Sequence, residues 1–520
     1  MRRGVGCLCA AAALSPVVAH ADEPKSSTEP RVMMESGEVT NVVDAFDDGD
    51  VFDANVSLGF QFASKSAKIY RETSIAAPGL SSGGYTSRLM NVAQYSSTIA
   101  RLTPRVDIGI YHDLAIYARL PIVLSYQQKL DGLEGSENKQ SVTLAGMPGE
   151  QLFSLPFKSP DRSGLEYLAL GFEFDIFNQA RDKSKPTWLF GAEVRLAVGD
   201  PMQACNTSTT RLNAVPTGFA DRTPVQCASP TDVNRDGQNE DGSAAQLEGN
   251  DVSARTAGVT RGTIGLEAHT ILSKRVKYIE PYGGFAALVE FYNSDDFTLT
   301  NLDGSLVNHP PFRGKMILGT MIIPWENREK YGRFTLDFRF TGEYVSEGRD
   351  YSELFDALGS SDAPSMRYPQ WAAYRQNPNF NEGDCTDGDS STPCYPRSVV
   401  DQGSQKTYNT GLTDVYAHGS YRASASATWQ ASEYVKFSIG GGFQFDQGHI
   451  ITGDQPCNSA FKEDVGRSGP CHSGNDNTQE LVATGIPNPN YRSAVNVVGR
   501  RFYVDTSATW DVAISGTVMF

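Results

Sequence analysis

The sequence predicts an all-β protein: a transmembrane, up-and-down antiparallel β-barrel of about twelve strands, with long extracellular loops. Three observations predict it. Segments of strict two-residue alternation recur along the chain. The connections between them are short and long in strict turn. After the N-terminal stretch no apolar run reaches the ~18 residues a membrane helix needs, whereas barrel strands need only every second residue apolar. A soluble chain of 520 residues would normally divide into several domains, but a closed barrel grows by adding strands around its circumference and needs no single packed core.

The N-terminus reads as an export signal over 1–21. Arg2 and Arg3 form a positive start, Val5 to Val18 is apolar and small, and Ala19-His20-Ala21 fits the small-x-small cleavage rule. Residues 22–50 are polar and read as a periplasmic lead-in, and 51–520 as the barrel. Strands are expected near 52–64, 98–111, 114–128, 165–178, 186–198, 257–271, 277–292, 312–324, 333–346, 416–430, 433–447 and 502–520. The pattern is cleanest in 333–344, where Phe334, Leu336, Phe338 and Phe340 alternate with Arg333, Thr335, Asp337 and Arg339. Alternation of that kind needs apolar and polar surroundings on opposite faces. It is weakest in 312–324, where Met316 to Ile323 is apolar on both faces.

The connections at 112–113, 179–185, 272–276, 325–332 and 431–432 are short. Those at 65–97, 129–164, 199–256, 293–311, 347–415 and 448–501 are long. In an up-and-down barrel this places every tight turn at one rim and every long loop at the other. Trp188, Trp325 and Trp429 fall near the tight-turn rim and Trp510 near the other, as expected for aromatic girdles at two membrane interfaces. The six cysteines beyond the export signal form local pairs within long loops, Cys205–Cys227, Cys385–Cys394 and Cys457–Cys471. In an exported chain these read as disulfides, with nearest-neighbour pairing the simplest connectivity.

The last strand sets Ala508, Trp510, Val512, Ile514, Gly516, Val518 and Phe520 on one face, and Thr509, Asp511, Ala513, Ser515 and Thr517 on the other. It resembles the C-terminal signature strand of Gram-negative outer-membrane β-barrel proteins, which ends on Phe. The resemblance covers roughly the last dozen residues and singles out no subfamily. It implies residence in the bacterial outer membrane, contact with its lipid, and delivery by the barrel-assembly machinery that reads such a strand.

Candidate chemistry lies first in the lumen. Reading inward positions by phase gives Arg105, Asp107, Arg119, Glu173, Asp175, Glu193, Arg195, Glu267, His269, Glu280, Asp337, Arg339 and Arg422. Arg105, Asp107 and Arg119 are expected to cluster across the 111–114 hairpin, and Glu267 and His269 to face Tyr282 and Glu280 respectively across the 272–276 hairpin. Such a mixed-charge lining either fills a narrow barrel with paired ions or forms a constriction that selects ions and small hydrophilic solutes. A second candidate is the loop 232–241. There Asp232, Asn234, Asp236 and Gln238 alternate oxygen ligands, with Gly237 for the sharp turn, in the manner of a Ca²⁺ loop; Ser243 stands where an EF-hand has its bidentate Glu. No other cofactor is expected. The six histidines beyond the export signal stand in no spacing that points to a Ser or Asp partner, so no enzyme is expected. A net charge of −16 argues against nucleic acid as a partner. Function is thus expected to be porin-like transport, with a structural or surface-interaction barrel bearing disulfide-pinned loops as the alternative, and behind it an outer-membrane hydrolase, for which His269 beside Glu280 is the nearest approach to a dyad.

Overall fold

The computed structural model describes residues 37, 39–46, 53–76, 85–133, 150–205, 226–227, 254–255, 257–293, 305, 307–327, 330–361, 363–367, 370–371, 374–381, 383–384, 391, 393, 395, 398–400, 406–407, 409–456 and 488–520. They form a closed antiparallel barrel of twelve strands. In chain order these are β1 (Ala54–Ala76), β2 (Tyr85–Tyr111), β3 (Leu114–Arg119 continued by Ile122–Gly132), β4 (Arg162–Leu165 continued by Tyr167–Phe177), β5 (Thr187–Ala197), β6 (Thr263–Ser273), β7 (Ile279–Tyr292), β8 (Arg313–Asn327), β9 (Gly332–Val345), β10 (His418–Ser432), β11 (Val435–Asp446) and β12 (Phe502–Val504 continued by Ser507–Met519). Each strand pairs with its sequence neighbours. The ring closes where β1 meets β12, from Asn55 opposite Met519 to Ser66 opposite Ala508. Phe520 and Ala54 exchange both backbone hydrogen bonds at the tight-turn rim, 3.3 Å and 2.8 Å.

Alternation builds the wall as the sequence predicts. Phe285, Leu318, Phe338, Phe340, Phe437, Ile439 and Ile514 point outward and stay exposed, while Glu280, Arg333, Glu193 and Asp511 on the inward face are buried. An exposed apolar belt of this extent needs lipid to cover it, and the chain is an outer-membrane β-barrel. Trp188, Trp325, Trp429 and Trp510 all face outward. Among the described residues no helix is long and apolar enough to cross a membrane. The ambiguous 312–324 segment is β8. Its inward Met321 and Ile323 are fully buried, which accounts for the apolar inner face.

Several strand boundaries depart from the sequence reading; β6, expected from 257, begins at Thr263. The stretch 65–97, expected to be a long loop, is mostly strand, because β1 and β2 run on beyond the wall as a paired hairpin. Here the polarity inverts. Ser66 and Lys68 face out and are exposed, whereas inward Ala67 and Ile69 are buried. The lipid has ended outside and an apolar core has begun inside, so a pattern tuned to the membrane misses the continuation. Strand 114–128 is interrupted at Leu120-Pro121, because Pro121 has no N–H for the ladder. Its neighbour β4 breaks beside it at Glu166, whose N–H donates to the Pro121 carbonyl at 3.0 Å.

That apolar core is a cap built by the long loops. Leu152, Phe153 and Phe157 from one connection join Leu354, Leu358 and Met366 from a second, Ile451 and Val495 from a third, and Ile69, Tyr95 and Phe502 from strand extensions. Short helices α1 (Phe355–Gly359), α2 (Pro364–Arg367) and α3 (Ser493–Asn496) carry part of it. Leu354 and Leu358 are fully buried, each contributing ~1.5–3 kcal/mol. Two buried ion-pair sets tie the loops. Arg162 grips Asp356 through both guanidinium nitrogens, at 2.6 and 2.9 Å. Arg349 reaches Asp414 at 2.9 Å and Asp454 at 3.0 Å. Burial and the adjacent Asp454 hold Asp414 well above the usual carboxylate range. Burial and the neighbouring Arg349 lower Arg492 to about 10.

Cys205 is buried and disulfide-bonded. Cys227 lies in a two-residue strand paired in parallel with Ala254–Arg255. Cys385, Cys394, Cys457 and Cys471 lie outside the described residues, as do the candidate calcium ligands Asp232, Asn234, Asp236 and Gln238 and the export signal.

Candidate functional site

The two walls of the lumen differ. From β2 to β6 it is charged, and the charges are sorted by rows. In one register row stand Arg105, Arg119 and Arg195. In the next stand Asp107, Glu193 and Glu267, with Tyr117 between the first two. Basic and acidic rows therefore lie one step apart, and cations meet anions either along one strand, as Arg105 with Asp107 and Arg195 with Glu193, or diagonally across strands, as Arg119 with Glu193 and Arg195 with Glu267. Arg119 binds Glu193 at 2.6 and 2.8 Å, and Arg195 reaches Glu193 at 2.6 Å and also pairs with Glu267. Tyr117 donates its hydroxyl to Glu193 at 3.0 Å. Arg105 pairs with Asp107 at 2.6 Å and with Glu173 at 3.3 Å. Its guanidinium sits 4.2 Å from the Tyr117 ring centre, and those of Arg119 and Arg195 flank Tyr167.

All thirteen lumen residues named from the sequence are present on the described strands, but not always with the expected neighbours. Arg105 and Asp107 do cluster; Arg119 turns instead to Glu193. His269 does not face Glu280. It lies opposite Gly191 with its Nε2 3.7 Å from Glu173 Oε1. A Cβ on Gly191 would fall 2.4 Å from that nitrogen, so the glycine makes the room. The hairpin between β6 and β7 pairs Ser273 with Tyr282 and His269 with Ala286, six residues beyond the expected Glu280, and this shift moves every cross-strand neighbour between the two strands. Tyr282 accordingly joins Asp337 at 2.6 Å and Arg339 at 3.0 Å. Arg422 pairs with Asp511, one contact being 2.8 Å. Asp175 is buried and neither carboxylate oxygen has a hydrogen-bond partner among the described residues.

Glu280 has a different role. Its carboxylate accepts from the Gly37 N–H at 2.8 Å and from the Ser273 hydroxyl at 2.7 Å, and Thr40 shares a 2.9 Å hydrogen bond with Ser273. Residues 37–46 belong to the expected periplasmic lead-in, yet they lie against the inner wall. Val39 packs with Ile271, Tyr282 and Met321 on one side. Val42 packs with Ala115 and Leu189 on the other, and Ala45 pairs with His112. The segment crosses the tight-turn end of the lumen. The wall is shaped for it, since a Cβ on Gly109 would sit 1.9 Å from the Asp44 carbonyl oxygen. Polar composition alone gave no sign of this; the apolar pair Val39 and Val42 within a polar stretch was the available signal.

The opposite wall, β10 to β12, is lined by small and hydroxylated residues such as Ser424, Ser426, Ser438, Gly440, Ser515 and Thr517. Between it and Val39 a cavity of about 220 Å³ stays open, bordered also by Asp337, Arg339 and Lys436. A larger hollow of about 760 Å³ is bordered by the outward-facing Phe190, Phe285, Met316 and Tyr344 and also by His269, Lys315, Glu343 and His418. At the cap end, Lys65 bridges Glu353 at 2.9 Å and Asp446 at 3.2 Å, a site hidden from sequence reading because Lys65 and Glu353 fall where loops were expected.

No family model matches the chain, and no curated protein matches it. Among solved structures, an outer membrane channel from Pseudomonas putida F1 is 9% identical, the comparison covering 90% of this chain and 96% of that one at a TM-score of 0.31. The toluene transporter TodX of P. putida is 9% identical over 90% of each chain, at 0.27. The outer membrane protease OmpT from Escherichia coli is 9% identical over 90% of this chain and 96% of that one, at 0.24.

Proposed function

We propose that this barrel is a gated channel for ions and small hydrophilic solutes. One observation carries the reading: a polar cavity of about 220 Å³ persists in a lumen whose other wall is closed by paired charges, and it lies beside residues 37–46. The ion pairs from β2 to β6 fill their half and leave a lane along the hydroxylated wall. The segment 37–46 obstructs that lane from the tight-turn side, and the loop cap stands over the other end. No chemical step is part of the proposal. The test is current across planar bilayers. The intact protein is expected to conduct weakly, and a form lacking residues 22–46 to conduct steadily at a higher level. If both forms fold in the bilayer and stay silent, the proposal fails.

A second reading is favoured by one feature, the cap core with its fully buried Leu152, Leu354, Leu358 and Ile451. A loop assembly with its own core suits a surface that binds a partner in one fixed shape. Removing 347–410 distinguishes the two: a gate raises conductance on removal, whereas a binding platform leaves conductance unaltered.

A further inference from the structure

We infer that the lumen favours small anions over cations, because in its ion pairs the cation is the member turned to the open space and the carboxylate the member covered. The inference rests on the transport reading and names the ions it passes.

A count of charges predicts no such preference. Arg105, Arg119, Arg195, Arg339 and Arg422 point inward and hold more carboxylates than their own number: Asp107, Glu173, Glu193, Glu267, Asp337 and Asp511. Placement decides instead. The arginine side chains are 20–37% exposed, and the carboxylates they hold are 2–18% exposed. The order is the same within each of these pairs. It is steep at Arg119 with Glu193, 26% against 2%, and at Arg422 with Asp511, 30% against 3%. Lys65 against Glu353 and Asp446 follows it, as does Lys315 against Glu343. His269 beside Glu173 runs the other way, but Arg105 also holds that carboxylate, and an imidazole is charged only when protonated.

The wall builds this order. A short carboxylate stays close to its strand, whereas the arginine stem carries its charged head over it toward the open space. Tyrosine rings fix the heads there. The Arg105 guanidinium lies 4.2 Å from the Tyr117 ring centre, and those of Arg119 and Arg195 lie 5.6 Å and 5.4 Å from that of Tyr167. Arg422 lies over β11, where a Cβ on Gly442 would fall 2.5 Å from its Nη2. Beneath the heads, Glu193 accepts from Arg119, from Arg195 and from the Tyr117 hydroxyl.

An ion in the lumen therefore meets the guanidinium before the carboxylate. Coulomb energy falls with distance, so the nearer charge of a fixed pair sets the sign, and low-dielectric walls focus the effect. The chain's net charge of −16 would by itself draw cations. Salt screens exposed charges beyond ~8–10 Å, so the groups at the lumen surface decide.

The test is the zero-current potential of the intact protein in planar bilayers under a KCl gradient. A lumen potential of about one kT enriches the anion and depletes the cation by about 2.7-fold each, so chloride should be favoured over potassium about sevenfold. Arg422→Gln/Asp511→Asn and Arg339→Gln/Asp337→Asn each keep the net charge and remove one exposed cation with its covered carboxylate. With the arginines sharing that potential evenly, each double variant is expected to lower the ratio by about a third. Selectivity set by net charge would leave it unaltered. Current carried equally by both ions, or mainly by potassium, overturns the inference and leaves the transport reading standing. A ratio unaltered in both double variants does the same, and where they do not fold the parent's ratio decides alone. Silence in the bilayer overturns the transport reading, and the inference with it.

Discussion

Replacing Arg162 by Met should open the cap and leave the barrel intact. The Arg162 and Asp356 side chains are 1% and 2% exposed, and the guanidinium also donates to the carbonyls of Ala257 and Gln203, both at 3.2 Å. Methionine keeps the apolar stem and removes the charge, which leaves a buried carboxylate with no counter-ion and two carbonyls short of a donor. Breaking one side of a buried pair costs ~3–5 kcal/mol. At ~1.4 kcal/mol per factor of ten, the opened cap should become roughly a hundred to a few thousand times more populated. Asp356 lies in α1 between the fully buried Leu354 and Leu358, so the effect should appear there first. Hydrogen exchange read by peptide mass is the assay. Peptides covering 152–157 and 354–366 should exchange faster, while 333–345 in the wall should not. The double variant Arg162→Met/Asp356→Leu removes both charges and should recover much of the protection. Unaltered exchange of 354–366 in the single variant would refute the reasoning.

Three further outcomes are expected. A Cβ at position 109 meets the Asp44 carbonyl oxygen at 1.9 Å, so Gly109→Val should push residues 37–46 from the wall and raise bilayer current; current equal to the parent's would contradict the placement. Ile514→Arg puts a charge on the exposed apolar belt and should cost ~2–4 kcal/mol in folding equilibria measured in vesicles, whereas Ala513→Ser on the inward face of the same strand should cost little. Asp414 is raised by burial and by Asp454, with Arg349 opposing and Glu347 adding to the rise. A carboxyl whose folded value lies above its unfolded ~3.9 contributes stability that is complete below ~3.9 and is lost as pH rises through the folded value. Exchange protection around 412–415 should therefore decline from about pH 4 upward, and Asp414→Asn should flatten that decline.

Where one face met lipid and the other a polar lumen, the sequence was legible. Leu336, Phe338 and Phe340 against Asp337 and Arg339 could satisfy no other arrangement. Legibility ended where the surroundings altered. Ala67 and Ile69 are inward and apolar because the cap core lies inside them, which reverses the pattern that defines a strand in the membrane. Inward charges were found by phase, but their partners were not. Pairing depends on register: a six-residue shift at the β6–β7 hairpin set Ala286 opposite His269 and left Glu280 to hold Gly37, while the pairing of β6 with β5 brought His269 near Glu173. The hydroxylated wall went unremarked because Ser and Thr on a strand carry no charge signal. Its meaning rests on which strands become neighbours and on what Val39 leaves open.

Gating, as proposed, turns on residues 37–46 standing inside the lumen and obstructing it. Thr40 and Ser273 meet at 2.9 Å between their hydroxyl oxygens, so Thr40→Cys/Ser273→Cys should form a disulfide that pins the segment to the wall. Single-channel current before and after addition of a reductant is the direct measurement. Low current while oxidised, rising on reduction in the double variant but not in the parent, is the expected result. Current indifferent to a verified cross-link would contradict the obstruction.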